Sequence, residues 1–180
     1  MRYFFSFLLS LALLGASSPA LAQIKQEVSD ITGAKRLVSE NMRNLVTNSY
    51  PGHGSFRAEY ENPPEKNPIW RISFFGFADD TTEMTAATQV QLTADGQTIS
   101  PTNVNSRTRE LENSILEIKD VSFTRSAFEQ IATASTVTAS IGPLQFELTR
   151  PLRKDLRLIL NRVPKGKGPQ TASRDSVSSQ

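Results

Sequence analysis

The residues of this chain that could bind a metal are few. The sequence contains one histidine, His53, and no cysteine, so the nitrogen and sulfur ligands of an ordinary zinc site cannot be assembled. An acidic loop contains Asp79, Asp80 and Glu83, but it lacks the ligand spacing of a calcium-binding EF-hand. We interpret this loop as a solvated turn between strands, and we predict no metal site.

Nucleophilic catalysis has little support in the sequence. A cysteine nucleophile is excluded, and a Ser-His-Asp triad would have to use His53, which lies in a loop rich in glycine. No Gly-x-Ser-x-Gly elbow precedes a helical pattern. A serine activated by a lysine base leaves no sequence signature, so that arrangement stays open.

Paired carboxylates of the glycosidase type are brought together by the fold and not by local spacing. Most acidic residues on the expected strands occupy the polar side of an alternating pattern, which is typical of a solvated sheet face: Glu59, Glu61, Glu117, Asp120 and Glu147. The chain has no phosphate loop and no Gly-x-Gly-x-x-Gly motif, so no nucleotide cofactor is expected. The sequence assigns no catalytic or cofactor-binding residue and leans away from an enzyme.

An aromatic group provides the candidate ligand or partner surface. Trp70, Phe75 and Phe77 lie on one strongly strand-like run, and Tyr60 lies on the strand before it. The same residues could instead fill the core of a small domain that has no disulfides, and the sequence favours that interpretation. Joint exposure of Trp70 and a neighbour would reverse it, because large exposed apolar patches mark contact sites.

The first residues have the order of a cleavable signal peptide. Arg2 is a short positive region, Phe4–Gly15 is an apolar run, and Ala20-Leu21-Ala22 is a small-x-small cleavage pattern. The run is too short for a membrane span, which needs roughly 20 apolar residues. We therefore predict export to the periplasm or the medium, with cleavage between Ala22 and Gln23. The absence of cysteine favours a bacterial source.

Residues 164–180 form a polar, basic segment. They contain Lys165, Lys167 and Arg174 against one acid, Asp175, and too little apolar surface to offset the entropy of ordering. We predict a disordered tail. Because the chain's net charge of +2 is concentrated there and not on the body, a nucleic-acid partner is not expected.

The remaining residues, 23–163, are predicted to form one domain that begins with a helix. Ile31, Ala34, Val38, Met42 and Leu45 are spaced as one helical face. Strands are predicted at 56–61, 69–77 and 115–123, the second as a central strand. Hairpins are predicted at Asp95-Gly96 and Gly142-Pro143. The segment 101–113 is too polar to assign.

Two later helices complete the prediction. Ser126-x-x-Glu129 fits a capping box before a short helix, and Thr149 could cap a last helix with an apolar stripe at Leu156, Ile159 and Leu160. Arg157 falls on the exposed side of that helix. The predicted fold class is α+β, a mainly antiparallel sheet with N-terminal, middle and C-terminal helices packed on it. A β-sandwich with peripheral helices is the alternative.

The second half resembles uncharacterised exported bacterial proteins in which a long strand is followed by a short helix, a hairpin centred on Ile-Gly and a Leu-rich helix. The matching residues are Phe128-x-x-Ile131-Ala132, Ser140-Ile141-Gly142-x-x-x-Phe146-x-Leu148 and Leu156-x-x-Ile159-Leu160. The resemblance implies a shared fold and names no activity.

Three functions remain open at this point. The favoured one is a non-enzymatic binding or accessory domain that contacts an envelope protein, a polymer or a small ligand. The second is a small hydrolase of cell-wall or extracellular material. The third is a structural or surface-associated protein held to an anionic envelope by its basic tail.

The signal peptide gives a direct prediction about processing. The exported protein should begin at Gln23, because the small-x-small pattern ends at Ala22. Intact-mass spectrometry of protein recovered outside the cytoplasm tests this. A full-length mass in that fraction would contradict it.

Overall fold

The structure is a computed structural model that describes residues 23–28, 33–40, 42–45, 53–64, 66–163 and 165. The predicted signal peptide lies outside the described residues. So does the predicted tail, apart from Lys165.

Short strands dominate the described part of the chain. In chain order the strands are β1 (Ile24–Val28), β2 (Lys35–Ser39), β3 (Arg43–Asn44), β4 (His53–Asn62), β5 (Ile69–Ala78), β6 (Val90–Ala94), β7 (Gln97–Ile99), β8 (Asn103–Glu110), β9 (Ile115–Phe123), β10 (Val137–Ile141) and β11 (Leu144–Glu147). The helices are α1 (Glu83–Ala86), α2 (Arg125–Thr133) and α3 (Lys154–Arg162).

The strands form two antiparallel sheets. The larger sheet has the order β1-β2-β4-β5-β9-β8, with β3 also paired to β4, and the smaller has the order β11-β10-β6-β7. In the larger sheet, β5 is hydrogen-bonded to β4 on one side and to β9 on the other. The prediction of a central strand at 69–77 is therefore confirmed.

The hydrophobic core lies between the larger sheet and a layer made of the smaller sheet, α2 and α3. Ile72 and Phe74 are fully buried on one face of β5, which we call the inner face. Phe74 contacts Phe146 of β11 with ring centroids 6.0 Å apart. Trp70 contacts Phe128 of α2 at 5.3 Å. These aromatic contacts join the larger sheet to the smaller one and to α2.

The predicted N-terminal helix is wrong, because β2 and β3 occupy that stretch. Ala34, Val38 and Leu45 are buried, as their spacing indicated, but the backbone of β2 pairs with β1 and β4. Met42, on the same expected face, is 45% exposed. The expected first residue, Ile31, lies outside the described residues. Sheet pairing has overridden a local period that fits a helix equally well.

The α+β class with a helix at its start is wrong for the same reason. The described residues form two antiparallel sheets with three short helices. The helices pack beside the smaller sheet over the inner face, where α2 contacts β5 and β9, and α3 contacts β1, β2 and β4.

Both predicted hairpins are confirmed. Asp95 and Gly96 join β6 to β7 with φ angles of 47° and 80°, the left-handed conformations of a type I′ turn. Gly142 joins β10 to β11 with a φ of 56°. A Cβ on Gly142 would lie 3.0 Å from Ala87 Cβ, so the position also lacks room for a side chain.

The Asp95 carboxylate ties the first hairpin to the segment after α2. It accepts hydrogen bonds from the backbone N–H groups of Thr136 at 2.8 Å and Ser135 at 3.0 Å. Both hydrogen bonds lower the pKa of Asp95, and the one from Thr136 has the larger effect. The ionised carboxylate therefore stabilises this junction at neutral pH, and its contribution is lost as the pH falls through the lowered pKa.

The start of α2 differs from the prediction by two residues. Thr124 is the N-cap, and its hydroxyl accepts a hydrogen bond from the Ala127 N–H at 3.2 Å. Ser126, the expected cap, lies inside the helix.

A buried arginine sets the start of α3 at Lys154 and not near Thr149. Arg153, the residue before the helix, is fully buried. Its guanidinium donates to four carbonyl oxygens: those of Leu148 at 2.7 Å, Ile131 at 2.9 Å, Ala134 at 2.6 Å and Ser135 at 3.0 Å. The backbone before α3 is thereby held against the end of α2 and the end of β11.

The segment left unassigned at 101–113 contains β8, the edge strand of the larger sheet. All of its residues except Val104 are exposed. Because polar residues occupy both of its faces, it carries no periodic apolar signal.

The stripe of α3 is confirmed at two of three positions. Leu156 and Ile159 are fully buried, whereas Leu160 is half-buried. Arg157 is not an exposed residue, since it is half-buried and donates to the carbonyls of Ala132 and Arg150.

We expect Leu156→Ala to lower the free energy of unfolding by about 2–5 kcal/mol, because it leaves a cavity in the core. Lys154→Ala, at an exposed position of the same helix, should change it by less than about 0.5 kcal/mol. Urea denaturation of the two variants measures both values. A silent Leu156→Ala would show that α3 does not pack on the sheet.

Candidate functional site

The four aromatic residues proposed as a surface do not lie together. Trp70 is on the inner face, is 4% exposed and packs between Tyr60 and Phe128, so it belongs to the core. Phe75 and Phe77 point to the opposite, outer face because side chains alternate along a strand. Phe75 is itself 4% exposed and lies beneath the Arg57 guanidinium, 5.5 Å from the ring centroid. Tyr60 alone reaches a cleft.

This cleft lies where the larger sheet extends past the layer that covers it. Its volume is about 440 Å³, within the range of small-molecule sites. Tyr60, Leu37 and Gln26 are neighbours across β4, β2 and β1 and share the inner face. Lys35 and Asn62 form the next pair. We call it the cationic cleft, and its lining is Gln26, Lys35, Arg36, Leu37, Tyr60, Asn62, Arg162 and Val163.

The end of α3 forms the wall of the cationic cleft. Arg162 donates from Nη1 to the carbonyl of Ile24 at 2.6 Å, which holds the helix end against β1. Arg125 donates to the carbonyl of Val163 at 2.7 Å and lies 5.0 Å from the Trp70 ring centroid. The two arginines therefore fix the last turn of α3 over the sheet.

The charges in the lining are all positive. Lys35 and Arg162 are exposed and pair with no carboxylate in the part of the chain that the structure describes. Arg36 borders the cleft, but its guanidinium is bound to Glu59 on the outer face of the sheet, with its Nε 2.8 Å from Oε1. Burial raises the pKa of Tyr60, and the nearby Arg125 opposes that effect. The cleft thus offers cations, amides and a neutral phenol, which suit an anionic ligand.

A second polar cluster holds α1 against the larger sheet. Glu117 of β9 is fully buried and accepts hydrogen bonds from the backbone N–H groups of Thr82 at 2.9 Å and Thr85 at 3.2 Å, as well as from both of their hydroxyls. Lys119, two residues on, is also fully buried and donates to the carbonyls of Thr85 at 3.3 Å and Ala87 at 2.7 Å. We call this arrangement the α1 clamp: the carboxylate of Glu117 accepts from donors at the start of the helical turn, and the amine of Lys119 donates to the carbonyls at its end.

A smaller cleft opens beside the α1 clamp, between the edges of the two sheets. Its volume is about 320 Å³, and its lining is Thr88, Gln89, Val90, Gln91, Thr98, Ile99, Ser100, Pro101 and Val104. We call it the edge cleft. Ser106 follows Val104 on the same face of β8, and its hydroxyl contacts Lys119 Nζ.

The outer face of the larger sheet carries ion pairs. Glu59 interacts with Arg36 and Arg71, and Asp120 with Arg107 at 3.1 Å. Asp120 also accepts a hydrogen bond from the Ser73 hydroxyl at 2.5 Å. Among the described residues, no three His, Asp or Glu side chains are placed to hold a metal ion.

Of the residues that line the two clefts, the sequence indicated only Tyr60. Lys35 and Arg36 had been placed on a helix, and Ser106 lay in the unassigned segment. No local pattern indicated Ser106, because polar residues occupy both faces of 103–110. None existed for Arg162, whose partner Ile24 is 138 residues away in the chain.

No protein-family model matches the chain, and no curated protein and no solved structure matches it either. Within the described residues, no helix has both the length and the apolar character needed to cross a membrane.

The α1 clamp predicts that even a substitution that preserves the shape of Glu117 lowers the free energy of unfolding. Glu117→Gln keeps the shape but replaces one acceptor oxygen with an amide that faces N–H and O–H donors. We expect it to lower the free energy of unfolding by about 1–3 kcal/mol, the usual cost of unsatisfied buried polar groups. Glu112→Gln, at an exposed position between β8 and β9, is the control. Urea denaturation and amide exchange at Thr85 are the measurements; equal stability of the two variants would contradict the role given to the clamp.

Proposed function

We propose that this protein is an exported binding domain of the cell envelope and that its cationic cleft holds an anionic ligand. One observation carries the proposal: Lys35 and Arg162 are both exposed in the same cleft, and no acidic residue is in its lining.

Lys35 and Arg162 are the residues that would contact the anion. Both side chains are exposed and keep N–H donors that make no ion pair within the described residues. A carboxylate or a phosphate accepts such charge-assisted hydrogen bonds readily. Because the site is open to water, each contact is weak and salt-dependent.

The rest of the lining favours a ligand with a polar body. Gln26 and Asn62 add amide donors and acceptors, and Tyr60 adds one aromatic side chain whose ring is supported by Trp70 at 4.6 Å. An aromatic ring beside amides is well suited to a sugar or a peptide carrying an acid group. We therefore place an acidic saccharide or an acidic peptide in the cleft.

Export supports an envelope ligand. The predicted signal peptide at residues 1–22 would deliver the domain to the compartment where anionic polymers are accessible. The two alternative functions do not involve this cleft. A hydrolase would need a nucleophilic site, and a surface-associated protein would act through residues 164–180.

The experiment is a calorimetric titration of the mature chain, residues 23–180, with oligogalacturonate and, separately, with inorganic phosphate. Lys35→Gln and Arg162→Gln should each weaken binding about tenfold, which corresponds to 1.4 kcal/mol. Lys154→Gln, at the opposite end of α3 from Arg162, is the matched control. Binding to the saccharide alone would identify a carboxylated polymer, and binding to both probes a general anion site.

Higher salt should weaken the binding further, because exposed charges are screened. The proposal is wrong if neither probe binds, or if Lys154→Gln weakens binding as much as Lys35→Gln does.

A further inference from the structure

Lys119 has an unusual set of neighbours for a lysine. Its side chain is fully buried, and its Nζ is within hydrogen-bond distance of three oxygens: the carbonyls of Thr85 and Ala87 and the hydroxyl of Ser106. Phe74 faces it from β5. Glu117, on its own strand, is the charged group that acts on it.

A lysine that acts as a general base must be a neutral amine, and these three oxygens can accommodate one. A neutral amine has two N–H groups and one lone pair, and a carbonyl oxygen can only accept. When the carbonyl oxygens of Thr85 and Ala87 accept hydrogen bonds from the two N–H groups, the lone pair of Lys119 is directed at Ser106. The hydroxyl of Ser106 can then donate a hydrogen bond to that lone pair. Burial lowers the pKa of Lys119, and Glu117 opposes that shift.

The position of Ser106 gives it access to a substrate. It lies on the edge strand β8 and is exposed, while the amine behind it is fully buried. It also lies two residues from Val104, which lines the edge cleft of about 320 Å³. Ser106 itself is not part of the lining, so an ester bound in the cleft meets the hydroxyl only if it extends past Val104, about 7 Å along β8.

We propose that Ser106 and Lys119 form a nucleophile and general-base pair that takes an acyl group from an ester bound in the edge cleft. This activity is independent of the cationic cleft, which lies at the β1–β2 end of the larger sheet, away from β8.

The step balances with water as the second reactant. Ser106 Oγ bonds to the acyl carbon while its proton passes to Lys119 Nζ; the ester C–O bond then breaks and the leaving alcohol takes that proton. Water attacks the acyl-serine and gives a proton to Lys119. When the acyl–Oγ bond breaks, the proton returns to Ser106 and a carboxylic acid is released.

The test uses the mature chain and a fluorophosphonate probe, which labels activated serines, with p-nitrophenyl acetate as the ester. Peptide mapping by mass spectrometry should place the adduct on Ser106. Ser106→Ala should abolish both the adduct and ester turnover. Thr108→Ala, two residues away on the same face of β8, should keep both.

Two further measurements separate a base from a purely structural lysine. Labelling of the unchanged protein should accelerate with pH through one ionisation below the usual lysine range. Lys119→Met should slow labelling about 100-fold, the lower end of what a positioned base contributes. The pH profile needs no variant, so it decides the matter even if Lys119→Met fails to fold.

Three results would overturn the proposal. They are the absence of an adduct on Ser106, labelling as fast in the urea-unfolded chain, and a labelling rate with no such ionisation. In each case Lys119 would serve only to hold α1.

Discussion

The structure depends on buried and half-buried cations that are solvated by main-chain carbonyl oxygens instead of being paired with carboxylates. Arg153 is the extreme case, with a fully buried guanidinium and four carbonyl acceptors. Burial lowers its pKa, which shows the direction of the desolvation penalty. The carbonyls offset that penalty because they are fixed dipoles that would themselves be unsatisfied without a donor.

The same arrangement recurs at the ends of α2 and α3. Arg153 and Arg157 meet the last carbonyls of α2, and Arg125 meets the carbonyl of Val163 after α3. A cation at a helix C-terminus is favoured by the helix dipole. Each of these side chains lies outside the helix whose carbonyls it meets, so these helix ends are also contacts between elements. A planar guanidinium suits the joints that need several donors at once.

Sequence patterns predicted the parts of the fold that carry a strong local signal. The local sequence is enough to predict a buried strand at β5, which is a continuous apolar run. It is also enough to predict the turns at Asp95-Gly96 and at Gly142, where the backbone φ is positive. At 31–45 the apolar spacing fitted a helix, but Leu37 and Val38 occupy opposite faces of β2, which only pairing with β1 and β4 can reveal. The strand β8 was not predicted because almost all of its side chains are exposed, so its sequence has no apolar pattern.

The candidate sites were beyond the reach of local patterns. Ser106 and Lys119 come from neighbouring strands whose register sets their contact, and Arg162 meets Ile24 across nearly the whole domain. The carboxylate positions were identified as a solvated sheet face, yet Glu117 points inward and is fully buried. Inward and outward positions cannot be told apart until the neighbouring strands are known.

The position of β1 has a consequence for the order of events during maturation. Ile24, the second residue after the predicted cut, pairs with Ser39, is 8% exposed and accepts a hydrogen bond from Arg162. A signal peptidase needs its substrate as a free, extended segment, so a chain cut after Ala22 must be processed before β1 docks. Under the predicted cleavage, the pairing of β1 with β2 therefore follows the cut.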